Sequence, residues 1–139
     1  MTFETYNEIE TWEVAKKFAA TLRSGDVVCL EGDLGAGKTT FTQGVCAALG
    51  AKRAVTSPTF CIVSEHPAEP FLVVHMDLYR LHDEEDVLQV GWEDYLAQGA
   101  VLIVEWSDRA GSLIPSNAKR VRFTYGSDGT SRLIDLSLE

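Results

Sequence analysis

Apolar positions along the chain recur with two spacings, near 3.6 residues and near 2, and the switches between them fall at glycines and prolines. Residues 2–6 read as a short strand. Asn7 reads as a helix N-cap with Glu10, three positions on, as its capping-box partner. Ile9, Trp12, Ala15, Ala19 and Leu22 then recur at helical spacing, Gly25 stops the run, and Trp12 and Phe18 are assigned to the core. Residues 26–31 form a short apolar strand between Gly25 and Gly32. Residues 38–49 are helical in pattern, with Phe41, Val45, Ala48 and Leu49 on the apolar face and Gly50 as the stop.

Residues 57–59 read as loop, 60–63 as a strand, 67–70 as a turn and 71–76 as a second apolar strand. The acidic run 83–86 opens a helix, because carboxylates favour the positive end of the helix dipole. Gly91 breaks it, and residues 92–97 make another short helix. Residues 101–105 are a third strand of the buried type, and 111–117 are loop. Residues 120–125 and 132–138 alternate around Gly126-Ser127-Asp128-Gly129, the pattern of a hairpin. Val121, Phe123 and Tyr125 share one face of its first strand. No repeat or linker divides the 139 residues, so residues 1–139 are read as a single domain. Buried strands mixed with helices give an α/β class with a partly parallel sheet and an antiparallel edge.

Net charge changes the picture of partners. Twelve Lys and Arg against 21 Asp and Glu leave −9, which argues against nucleic-acid binding by phosphate neutralisation. The three cysteines, Cys29, Cys46 and Cys61, lie in apolar stretches with neither disulfide nor metal spacing. They read as reduced, packed thiols, which fits the cytoplasm. No apolar run approaches a membrane span or a signal sequence, and no membrane association is expected.

The strongest chemical signal is residues 32–39, G-D-L-G-A-G-K-T, the phosphate-binding pattern G-x-x-x-x-G-K-[ST] between an apolar strand and a helix. Its glycines let successive N–H groups turn inward as an anion nest. Lys38 adds a charge for the β- and γ-phosphates, Thr39 offers a hydroxyl to Mg²⁺, and the helix start points its positive end at the same place. The nucleotide-binding set is Asp33, Leu34, Gly35, Ala36, Gly37, Lys38, Thr39 and Thr40.

Two later strands end in carboxylates, Asp77 and Glu105, and ligands of α/β sheets sit at the carboxyl ends of strands. Such acids hold Mg²⁺ or orient attacking water in phosphoryl transfer, and the sequence does not choose between Asp77 and Glu105 as base. His75 shares a strand face with Asp77, but the three histidines have no zinc-type spacing. Arg80 is a candidate phosphate contact, or a partner for the acidic run after it. Trp106 is either core or an aromatic beside the nucleotide. Ser57, Pro58 and Thr59 are placed like a switch loop that closes on a γ-phosphate.

Taken in order, G-D-L-G-A-G-K-T-T, S-P-T-F, H-M-D-L-Y-R and V-E-W resemble the TsaE family, bacterial ATPases of tRNA threonylcarbamoyladenosine synthesis. The resemblance implies a P-loop NTPase-like domain with a central, mainly parallel sheet, antiparallel edge strands and flanking helices. It implies ATP on the 32–39 loop, and Mg²⁺ on Thr39 and Glu105 with Asp77 at or near the metal. It implies a Trp106 that senses nucleotide and a switch-like segment at Ser57 to Thr59. It also implies a TsaB–TsaD transferase pair as partner, reset by slow, partner-activated hydrolysis, with tRNA met only through the partners.

Three other readings compete. A small-molecule kinase would need an acceptor pocket and a basic lid, and the seven arginines do not cluster as one. A GTPase would need a guanine-reading N-K-x-D after the D-x-x-G at residues 108–111, and none follows. A non-catalytic ATP-gated binding module shares every motif above.

Overall fold

The computed structural model describes residues 1–32, 37–51 and 62–137. Along them run β1 (Thr2–Thr5), α1 (Glu8–Ala19), β2 (Val27–Gly32), α2 (Lys38–Ala48), β3 (Val63–His66) and β4 (Val73–Asp77). Then come α3 (Glu84–Gln89), α4 (Trp92–Ala97), β5 (Val101–Glu105), a 3₁₀ segment (Ser107–Leu113), β6 (Lys119–Tyr125) and β7 (Arg132–Ser137). The strands form one sheet in the order β1-β7-β6-β2-β5-β4-β3. The four central strands β6, β2, β5 and β4 are parallel, whereas β7, β1 and β3 add antiparallel edges. This is the expected α/β class, with helices on both faces of the sheet.

Burial explains the centre. β5 is buried at every position and β2 at its first four, so both read as continuous apolar runs. Their alternation divides the core in two. Val28, Leu30, Val101 and Ile103 pack beneath α1 and α2 with Phe18, Phe41 and Phe123. Val27, Cys29, Leu102 and Val104 face the other way, toward Val87 of α3 and Trp92 of α4.

The α1 stripe differs from the expected one. Ile9 is 73% exposed and Trp12 42%, so neither is core. The buried stripe is Thr11, Val14, Ala15, Phe18 and Ala19, with Leu22 following. Thr11 tolerates burial because its hydroxyl shares a 2.9 Å hydrogen bond with that of Thr5. Asn7 does cap α1, accepting the Glu10 N–H at 2.9 Å, while the Glu10 carboxylate reaches one residue further back than expected, to the Tyr6 N–H.

On α2, Ala48 is exposed and Thr42, Gly44 and Cys46 are buried beside Phe41 and Val45. The strand expected over 60–63 begins at Val63 and runs to His66; residues 60 and 61 lie outside the described chain, as does the third cysteine. Cys29 and Cys46 are buried free thiols, and burial pushes Cys46 up to about 12. Part of the loop expected over 111–117 belongs to the 3₁₀ segment. Tyr125 is half-exposed, unlike its face-mates Val121 and Phe123. Among the described residues no helix is long and apolar enough to cross a membrane.

Candidate functional site

The site is built where β2, β4 and β5 end and α2 begins. Gly32 closes β2 at φ +136, and a Cβ there would run into the backbone carbonyl of Phe123 on β6, so only glycine lets β2 enter the loop beside its neighbour. Gly37 stands before α2 at φ +102 as its N-cap and has no side chain with which to cap the helix. The first N–H groups of α2 are thereby left to another acceptor.

Lys38, first residue of α2, donates to the Gly32 carbonyl at 3.0 Å and lies 3.4 Å from Oε1 of Glu105. Glu105 ends β5 and is buried. Its Oε2 accepts from Nε2 of His75 at 2.8 Å, and His75 itself is fully buried on β4. Burial alone would push the Glu105 carboxyl up; the hydrogen bond and charge of His75, with Lys38 beside them, outweigh it and hold the carboxyl below the usual range. Glu105 is therefore ionised near neutrality.

The parallel register sets Asp77 directly beside Glu105. The two expected carboxylates thus meet at neighbouring strand ends. Asp77 is half-buried, and its Oδ1 accepts the Tyr79 N–H at 3.1 Å in the turn that follows. Trp106 is not core: it is 46% exposed, adopts a left-handed φ of 58°, and sets its ring 4.8 Å from that of Tyr79, with the Arg109 guanidinium 5.6 Å from the ring. Left-handed backbone is strained for a bulky residue and is found where a site demands it. Arg80 is exposed in the turn after Asp77. Thr39 and Thr40 are half-buried in the first turn of α2. Asp33, Leu34, Gly35 and Ala36 of the loop, and Ser57, Pro58 and Thr59, lie outside the described residues.

A cleft of about 290 Å³ adjoins the start of α2. Gly37 and Thr40 form one wall, Thr5, Tyr6, Asn7, Glu8 and Thr11 another, and Thr130 with Arg132 a third. Arg132 is held there by donation to the Thr130 carbonyl at 2.7 Å and by its guanidinium 4.4 Å over the Tyr125 ring. Sequence reasoning missed this cleft and the His75–Glu105 pair. The only signal for the pair was a histidine inside an apolar strand run.

Mg²⁺ suits this donor set. Among the described residues no three His, Cys, Asp or Glu side chains converge as a metal cage. A cation carried on phosphates needs only one or two protein oxygens, preferably hard and anionic. Glu105, ionised and with Oε1 toward Lys38, is such a donor.

A family model described as threonylcarbamoyl adenosine biosynthesis protein TsaE matches residues 5–134. The tRNA threonylcarbamoyladenosine biosynthesis protein TsaE of Bacillus subtilis is 41% identical over 121 residues, 87% of this chain and 75% of that protein. Its namesake from Haemophilus influenzae is 35% identical over 127 residues, 88% of this chain and 80% of that one. The crystal structure of Bacillus subtilis YdiB superposes with a TM-score of 0.81 at 33% identity, covering 100% of this chain and 86% of that one.

Proposed function

The chain belongs to the TsaE family of tRNA threonylcarbamoyladenosine biosynthesis, and from that premise we propose that it is a Mg²⁺-dependent ATPase serving that modification with a TsaB–TsaD transferase pair. The observation that carries the reading is the Lys38–Glu105 pair, which ties the phosphate-loop lysine to the carboxylate at the next strand end.

ATP seats its phosphates on the 32–39 loop. Lys38 leaves the Gly32 carbonyl and Glu105 for the β- and γ-phosphate oxygens, a charge-assisted exchange. The first N–H groups of α2 receive phosphate oxygens as well. Thr39 and Glu105 hold Mg²⁺, with Asp77 at or near it. When bound, Mg²⁺ supplies neutralisation of the charge that develops on the phosphate oxygens. Asp77, beside Glu105 in register, orients the attacking water. The 290 Å³ cleft past Thr40 takes the nucleoside end, and Trp106, exposed directly after Glu105, reports occupancy. Hydrolysis resets the transferase pair, which handles the tRNA; a chain of net charge −9 is suited to a protein partner rather than to RNA.

One observation favours a second reading, a gate that binds ATP without needing to cleave it. Oδ1 of Asp77 already accepts the Tyr79 N–H, which gives the carboxylate a part in the turn apart from any water. Substituting Asp77→Ala separates the two. ATP binding retained with hydrolysis and modification lost supports the ATPase; modification retained supports the gate.

A further inference from the structure

His75 has no exposed surface and lies between the buried residues Val74 and Met76. A buried imidazole costs free energy unless its nitrogens are paired. Only one is paired: Nε2 is 2.8 Å from Oε2 of Glu105, whereas Nδ1 has no hydrogen-bond partner among the described residues. A leucine would fill this space without an orphaned nitrogen. A carboxylate oxygen accepts, so the hydrogen of this 2.8 Å pair sits on Nε2. His75 thereby engages Oε2, and Oε1 is the oxygen turned toward Lys38, 3.4 Å away.

We propose that His75 is a positioning residue for the cation: its Nε2–H fixes the rotation of the Glu105 carboxylate, so that Oε1 alone is presented to Mg²⁺. The proposal rests on the reading of Lys38 and Glu105 as the MgATP site. It makes a residue outside the phosphate-loop pattern set the metal affinity, as partners of ligating side chains commonly do.

The test uses the full chain with His75→Leu, which removes the donor, and His75→Gln, whose amide nitrogen reaches the place of Nε2. ADP binding is titrated by calorimetry in EDTA and then across Mg²⁺ concentrations, alongside thermal melting. The expected result is a Mg²⁺ half-saturation raised about 10- to 100-fold in His75→Leu, with metal-free ADP affinity unchanged, and largely recovered in His75→Gln. An unchanged Mg²⁺ half-saturation in His75→Leu, or loss of metal-free ADP binding in step with it, would overturn the proposal. ¹⁵N NMR of the wild type adds a check that needs no variant. Nε2 should carry a proton donated to Glu105; a bare Nε2 would overturn the proposal. Wild-type protein that binds no ADP at all would bring down the underlying reading, and the proposal with it.

Discussion

Nζ of Lys38 stands 3.4 Å from Oε1 of Glu105, joining the first residue of α2 to the last of β5. Both are mostly buried. A lysine and a carboxylate held in this way form a place that a phosphate and a divalent cation can enter together, one on each partner.

The first prediction separates those partners. Lys38→Ala should weaken ATP binding both with and without Mg²⁺, because it removes the phosphate's cation. Glu105→Gln should weaken it only when Mg²⁺ is present. Each should cost about 100-fold or more in turnover, the usual cost of losing one charge-stabilising group. Calorimetric titration in EDTA and in Mg²⁺ checks the contrast.

Trp106 should report nucleotide by fluorescence. The chain has three tryptophans; Trp92, the first residue of α4, is buried, and Trp12 is half-exposed on α1. ATP addition should change the emission of the wild type, and Trp106→Phe should abolish the change while leaving ATP affinity within about threefold.

Gly44 lies where α2 packs closely on α1. A Cβ there would stand 2.7 Å from Cβ of Ala15 and 3.2 Å from Cα of Trp12. Gly44→Ala gains about 1 kcal/mol of helix propensity against an overpacking cost of about 1–3 kcal/mol. The net effect should be destabilising, read as a lower urea midpoint.

Asp128 controls the hairpin end that carries Thr130 and Arg132 into the cleft. The N–H groups of Ser131 and Thr130 and the Ser131 hydroxyl donate to its carboxylate, and they lower it from 3.8 to about 2. A depressed folded value means that its stabilisation is complete above the unfolded value and is lost as pH falls through the folded one. The urea midpoint of the wild type should exceed that of Asp128→Asn by a constant margin above about pH 5, and the margin should shrink toward pH 2. Nucleotide affinity of the variant should fall at neutral pH.

Much of this fold is legible in the sequence because local signals agree with tertiary need. The 101–105 run is apolar throughout and is buried throughout, and Gly91 and the 92–97 helix fall where the pattern places them. The buried face of α1 is not legible in the pattern because two stripes compete there. Packing against α2 selects the stripe containing Thr11 over the one containing Trp12, and a threonine satisfied by Thr5 does not look like core. The carboxylates at 77 and 105 were legible as strand ends, but their juxtaposition depends on register, which no local pattern states. His75 pairs with Glu105 for the same reason, across strands. The cleft joins the first residues of the chain to the last hairpin, so it exists only after folding.

The central claim is tested most directly by measuring ATP turnover of this chain alone and with the TsaB–TsaD pair, with Lys38→Ala as the blank. The account predicts turnover that is slow alone, rises clearly with the pair and vanishes in the blank. Turnover that the pair leaves unchanged, or that survives in Lys38→Ala, would contradict it.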